Sequence, residues 1–297
     1  MERFRIASDR LEADLMPELG GRIVALRLID APGAPRDVLV PLTGAPVLPP
    51  GWPKAGAYPL APYSNRIANA TLAFRGKTHD LPPHPDAAPH TVHGHAHRRP
   101  WRVVERSDAA ATLAYEHDGT GEWPWRFAVE QRIALSGARL TVAFNFANRD
   151  ARPAPAGFGW HPYFPAAGSP EIAFRAGTLW PQTDDNVARG TTERRAPADA
   201  PVVLDPGGTT LYFGEWDGYC GFETGTGVSV RLSADPVFAH LVLHRPEGRD
   251  YICVEPVSHV ADGFNLSARG IAGTGTRSLD PGDSLSGTVT LDAAATG

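Results

Sequence analysis

Cysteine is scarce: Cys220 and Cys253 are the only two in 297 residues. No disulfide framework can hold this chain, and neither residue has the close Cys or His spacing of a structural zinc site. Both are expected to be reduced, part-buried thiols of a cytosolic protein. Long apolar runs are missing too, none approaching the ~20 residues that span a bilayer. Residues 1 to 20 carry Glu2, Arg3, Arg5, Asp9, Arg10, Glu12 and Asp14, which interrupt any signal-peptide core. Excess positive charge is absent: the net formal charge is −5, which argues against a nucleic-acid partner. No unit of ~20–50 residues repeats, so a propeller or solenoid is not expected. These absences leave a soluble, cytoplasmic chain with a small-molecule ligand and no membrane attachment.

Material for a core is plentiful. The chain is 42% hydrophobic, and a chain of ~300 residues buries roughly three quarters of its unfolded surface. One domain over residues 1–297 is expected, working as a monomer or weak homodimer. Gly 31 and Pro 29 punctuate the sequence too often for long helices. Phe127–Leu135 and Leu140–Phe146 alternate with period two around Ser136-Gly137-Ala138-Arg139, the pattern of a hairpin with one buried face. Shorter pairs occur at Thr71–Phe74 with Thr78–Leu81, at Trp101–Arg106 with Ala111–Tyr115, and at Gly221–Glu223 with Val228–Leu232. Phe238–Leu243, Tyr251–Val254 and Gly287–Leu291 also read as strands. The expected fold is therefore all-β, a large antiparallel two-sheet sandwich. Proline-rich stretches at Pro32–Pro59 and Pro82–Pro89 read as rim loops, and Asp184–Asp199 as an excursion from the sheets.

Four polar clusters stand out. His161 sits in Phe158-Gly159-Trp160-His161-Pro162-Tyr163-Phe164, and Glu255 in Cys253-Val254-Glu255-Pro256-Val257-Ser258-His259. An imidazole and a carboxylate brought together form an acid/base pair, and their proline and aromatic neighbours stiffen the backbone that aims them. On reference values the carboxylate is expected to be ionised at neutral pH and the imidazole readily protonated. The other clusters are Ser64-Asn65-Arg66-Ile67 and His93-Gly94-His95-Ala96-His97-Arg98-Arg99. Plainer readings stand beside these: His161 as a core residue bonded to a carbonyl, Glu255 salt-bridged to Arg245 or Arg249, and Arg66 capping loop carbonyls. The run His90, His93, His95 and His97, with alternate histidines on one strand face, would suit zinc, which keeps a metal-dependent hydrolase as a third choice. Trp160, Tyr163, Trp180 and Trp216 are candidates for a stacking face against a sugar ring.

The string Ser64-Asn65-Arg66-Ile67 leading to the Arg75-Gly76-Lys77 turn, then His93-Gly94, His161 ahead of Tyr163-Phe164, Glu255-Pro256 and Asp262-Gly263-Phe264-Asn265, resembles the aldose 1-epimerase (galactose mutarotase-like) family in order and approximate spacing. That resemblance implies a supersandwich fold and cofactor-independent, metal-free interconversion of aldose anomers. It implies Glu255 as the base at the C1 hydroxyl and His161 as the acid at the ring oxygen. Arg66, His93 and Asn65 are implied to hold the sugar, with Trp160 and Tyr163 beside the acid. Two departures bear on specificity. The family's sugar-binding Asp is missing from Thr209–Gly218, where Asp217 or Asp205 is the candidate substitute, and Val257 stands where many members have Gln. Arg98-Arg99 before Pro100-Trp101 is similar to the hexose-6-phosphate mutarotase branch, and guanidinium pairs suit phosphate. A phosphosugar mutarotase and a non-catalytic carbohydrate-binding or sensing module are thus the competing expectations.

Overall fold

A computed structural model describes residues 1–29, 34–47 and 49–296. Its longest hairpin is the one that alternation predicts, Arg126–Ser136 with Arg139–Asn148, in register from Phe127 opposite Asn148 to Ser136 opposite Arg139. Phe127, Val129, Ile133 and Leu135 on one strand and Leu140, Val142, Phe144 and Phe146 on the other are buried, so this half-wet sheet shows clean alternation. Ala110–Asp118 flanks it on one side, with Ser284–Ala295 and then Val228–Ala234 on the other.

A second layer runs through Leu11–Met16, Arg22–Leu28, Ala57–Leu60, Gly159–Pro165, Tyr251–Val257, His240–Arg245, Thr209–Glu223 and Glu171–Trp180, every strand pairing antiparallel. The long Thr209–Glu223 strand joins the layers. Its first half, Thr209–Gly214, pairs with His240–Arg245, and its end, Tyr219–Glu223, pairs with Val228–Ala234. The all-β antiparallel sandwich is therefore what the chain forms. The only α-helix among the described residues is Gly263–Ala268, and none is long and apolar enough to cross a membrane.

Strands in the middle of the second layer do not alternate in burial: Gly159–Phe164 and Ile252–Val257 are buried throughout, whereas Glu171–Trp180 begins with clean alternation. One face meets the first sheet, where Phe158 contacts Phe144 and Phe238. The other is roofed by loops. A strand covered on both faces reads as a continuous buried run, and the roofed face is where the candidate site lies. The shorter predicted hairpins form, Thr71–Phe74 with Lys77–Asp80 within a residue of its expected edges, whereas Gly221–Glu223 is only the end of the fifteen-residue strand Thr209–Glu223. Of the proline-rich stretch Pro32–Pro59, Pro32, Gly33 and Leu48 lie outside the described residues. Ala57–Leu60 within it is a buried strand rather than rim.

Candidate active site

Strand register alone brings the acid and the base together. Gly159 pairs with Val257 and Tyr163 with Cys253, which sets His161 opposite Glu255 on the same face. On that row, Tyr58 pairs with His161, Val242 with Glu255, and Tyr212 with Val242. One step along, Cys253 pairs with Tyr163 and with His244, and His244 with Thr210. Directly opposed residues place their Cβ atoms about 4.5–5.5 Å apart, so five strands deliver a two-row floor of polar and aromatic side chains. Above it lies a cavity of about 190 Å³ whose lining includes Trp52, Lys54, Arg66, His93, His161, Tyr163, Tyr212, His244, Tyr251 and Glu255. That is below the ~300–1,000 Å³ of drug-sized sites, which limits it to a small ligand.

His161 Nε2 lies 3.4 Å from Glu255 Oε1, and the two residues are 4% and 3% exposed. The other atom of each group, His161 Nδ1 and Glu255 Oε2, has no hydrogen-bond partner among the described residues. Burial raises the Glu255 carboxyl to about 8, against the pull of Arg66, and burial followed by the charge of His93 drives the His161 imidazole well below its ordinary value. The expectation of an ionised carboxylate beside a protonated imidazole is therefore corrected: without a ligand, desolvation favours carboxylic acid beside neutral imidazole. Either arrangement holds one proton between the groups, and so one donor and one acceptor. The salt-bridge alternative for Glu255 does not form, because Arg245 Nη1 donates to Gly168 O and Leu204 O at 2.5 and 2.8 Å. Nor is His161 satisfied by a carbonyl; the Tyr58 and Tyr163 rings lie nearly parallel to it with centroids at 4.7 and 4.8 Å.

The loops over the floor are built from the other clusters. Asn65 and His93 both take left-handed backbone, with φ of 55° and 64°, a conformation that Asn and His tolerate better than most residues. The Asn65 N–H donates to His93 Nδ1 at 3.2 Å, and the His93 N–H donates to Asn65 O at 2.8 Å. With Nδ1 accepting and burial holding the ring neutral, His93 keeps its proton on Nε2 as a donor. Asp262 Oδ1 accepts the Ala68 N–H at 3.0 Å, and Asn265 Oδ1 accepts the Ala73 N–H at 2.7 Å. The Asp-Gly-Phe-Asn element thus braces the loop carrying Asn65 and Arg66. Gly94 allows the two loops to meet, since an added Cβ would lie 2.2 Å from Ala61 O.

Of the predicted site residues, Glu255, His161, Arg66, His93, Asn65 and Tyr163 line the cavity. Trp160 does not. It is one residue from His161, so strand alternation turns it to the opposite face and into the inter-sheet core. Asp217 does not either; it is exposed on the far half of the Thr209–Glu223 strand and accepts the Tyr219 N–H at 3.1 Å. Asp205 accepts from Ser169 Oγ at an exposed position. Where a carboxylate is expected, that strand supplies Thr210 and Tyr212. Trp180 and Trp216 also stay outside the lining, and Trp52, Tyr212 and Tyr251 take the aromatic role. Arg66 faces the cavity rather than capping carbonyls. Arg99 pairs with Glu122, and Arg98 Nη2 donates to Gly94 O, so neither joins the lining.

The alternating histidines form no common face, because the chain there runs through turn and a 3₁₀ segment, Ala96–Arg98. His90 bonds Asp185, His95 bonds His117, and only His93 lines the cavity. Metal-ligand types do converge elsewhere: one donor atom each from His161, Cys253 and Glu255 lies within 4.8 Å of the others. Sequence reading missed Lys54, His244 and Asn186. Lys54 covers the Trp52 ring at 3.5 Å, and its ammonium is pulled down to about 8 by burial. Asn186 comes from the supposed excursion, which is tied to the site by Tyr212 OH donating to Asn186 O at 3.0 Å.

Comparison with known proteins places this geometry among relatives. Residues 2–292 match the family model described as aldose 1-epimerase. The uncharacterized protein YphB of Escherichia coli (strain K12) is 27% identical over 248 residues, covering 80% of this chain and 83% of that one. A crystal structure from Escherichia coli K12, provisionally described as an aldose 1-epimerase, superposes with a TM-score of 0.83 at 24% identity over 99% of both chains. A GalM/aldose epimerase homologue from C. elegans gives 0.83 at 16% identity, over 100% of this chain and 99% of that one. At these identities the structures speak for the fold.

Proposed function

This chain belongs to the aldose 1-epimerase family, and from that premise we propose that it interconverts the α and β anomers of a hexose in the cavity above His161 and Glu255. The observation that carries this reading is the buried, otherwise unpartnered pair 3.4 Å apart at the floor of a small polar pocket.

Anomerisation needs one base at the C1 hydroxyl and one acid at the ring oxygen, and the pair supplies both from a single shared proton. A hexose entering the cavity brings hydroxyl donors to the vacant Glu255 Oε2 and, with Arg66 nearby, favours the carboxylate. The displaced proton passes to His161. Glu255 then takes the C1 hydroxyl proton as the C1–ring oxygen bond breaks, while His161 protonates the ring oxygen. The open-chain aldehyde turns about C1–C2 and recloses on its other face, with both protons returning. His93, a neutral Nε2–H donor, and Arg66 hold sugar oxygens, and Tyr163, Trp52 and Tyr251 supply the apolar wall. The reaction is cytoplasmic on this reading, consistent with two buried free thiols.

One observation favours an anionic sugar as a second reading. Lys54 and Arg66 line the cavity with no carboxylate among the described residues within ion-pair distance, although Asp86 and Glu255 in the same lining offset part of their charge. A phosphosugar would be recognised by these two cations rather than by Arg98 and Arg99. The test is the approach of freshly dissolved α-hexoses and hexose 6-phosphates to anomeric equilibrium, followed by polarimetry or NMR. Acceleration supports the reading. Sugar binding without acceleration assigns the cavity to a sensor instead.

A further inference from the structure

The convergence of His161, Cys253 and Glu255 has a use outside proton transfer. We propose that these three side chains form an inhibitory site for a borderline-soft divalent cation of the Zn²⁺ class, and that filling it silences the acid/base pair. The binding half stands on geometry. The silencing half rests on the anomerisation reading.

Two adjacent strands supply the donors. His161 and Glu255 face each other across the pairing of Gly159–Pro165 with Tyr251–Val257, and Cys253 is two residues before Glu255, hence on the same face. Zinc takes imidazole nitrogen at ~2.0–2.1 Å and carboxylate oxygen at ~2.0–2.2 Å in tetrahedral sites. A tetrahedron with those legs has an N···O edge of about 3.4 Å, and the His161–Glu255 separation is 3.4 Å. All three donor atoms lie within 4.8 Å of one another, so the thiol closes on the ion with about an ångström of side-chain movement.

Two further observations fit a ligand here. Glu255 Oε2 and His161 Nδ1 are buried without partners, leaving the pair without the bonds that would hold it in its present form. His161 and Glu255 open on the cavity while Cys253 lies beneath its lining, which gives three protein ligands and a fourth position facing the cavity. Sites of that composition keep an open position for water. Coordination forms metal–sulfur, metal–nitrogen and metal–oxygen bonds and releases the Cys253 thiol proton and the Glu255 carboxyl proton to solvent, so affinity rises with pH. The ion occupies the atoms that anomerisation requires, and a chelator reverses the block.

The experiment titrates the purified full chain with Zn²⁺ by calorimetry, and with Co²⁺ while following the thiolate-to-metal absorption band. One ion per chain with a thiolate band is expected in the native protein. Cys253→Ala should lose the band, weaken Zn²⁺ at least ~10-fold and keep its metal-free anomerisation rate, and its inhibition curve should shift by the same factor. Cys253→Ser, with circular dichroism of both variants, covers the case in which alanine perturbs the fold. Absence of binding by the native chain, or binding unaffected in whichever Cys253 variant folds, overturns the proposal. A thiolate band in a protein that anomerises no sugar keeps the metal site and removes the functional reading instead.

Discussion

Replacing Glu255 by Gln should make this protein both slower and, at alkaline pH, more stable. The rate loss follows from removing one positioned acid/base group, commonly worth ~10²–10⁴, or about 3–5 kcal/mol of barrier. The gain in stability follows from burial. The Glu255 carboxyl titrates near its ordinary 4.5 when unfolded and at about 8 in the fold. A folded value raised in this way leaves stability intact below the unfolded value and removes it as pH rises through the folded one. Between the two, each pH unit costs the native chain about 1.4 kcal/mol. Glutamine is isosteric and cannot ionise, so it escapes that loss. The stability of Glu255→Gln relative to the native chain should therefore grow by about 4 kcal/mol between pH 5 and pH 8, as an order of magnitude. Taking the difference between the two proteins cancels the buried histidines, which titrate in both. Urea unfolding at pH 5, 6.5 and 8 measures it directly. A stability difference that stays flat with pH would refute a desolvated carboxyl at this position.

His161→Asn should lose ~10²–10⁴ in anomerisation rate with an unchanged circular dichroism spectrum; a near-native rate removes its assigned role. Asp14 accepts from Arg3, Arg5 and Arg27 at 2.7, 2.7 and 3.0 Å, and these bonds outweigh burial to hold its carboxyl well below its ordinary value. Its contribution is fully present above ~3.9 and is lost as pH falls through the folded value. Asp14→Asn should thus cost about 1–3 kcal/mol at pH 7 and flatten the acid limb of a stability–pH curve. Gly94→Ala places a Cβ 2.2 Å from Ala61 O at φ +65°, costing about 1–3 kcal/mol from the backbone conformation alone. Because it displaces His93, kcat/KM should fall at least ~10-fold even where thermal melts show the variant folded.

The polar groups that meet at the cavity were legible in the sequence more fully than its walls. Asn65, Arg66, His93, His161 and Glu255 sit in short motifs whose prolines, glycines and aromatics mark aimed side chains, and all of them reach one cavity. His244, Thr210 and Tyr212 carry no such mark. They face the site only because Thr209–Glu223 pairs with His240–Arg245, which pairs in turn with the Glu255 strand, and period-two patterning does not reveal which distant strands are neighbours. Lys54 was hidden for a related reason, since a proline-rich loop gives no periodicity to orient it. Trp160 shows the converse error. Proximity to His161 in the chain suggested the site, while alternation along the strand placed it in the core. The half-wet hairpin at 126–148 was read correctly because one face meets water. Gly159–Pro165 and Tyr251–Val257, covered on both faces, showed less of their extent. Protonation was misread because reference values apply to solvated groups, and the burial that reverses them depends on the loop roof.

Central to the account is a proton shared between His161 and Glu255 at the base of a sugar-sized cavity. Polarimetry of fresh α-hexoses with the native chain, Glu255→Gln and His161→Asn at matched concentration tests it most directly. Rapid mutarotation of at least one sugar by the native chain is expected, with a loss of ~10²–10⁴ in each variant. Equal rates in all three proteins would contradict it.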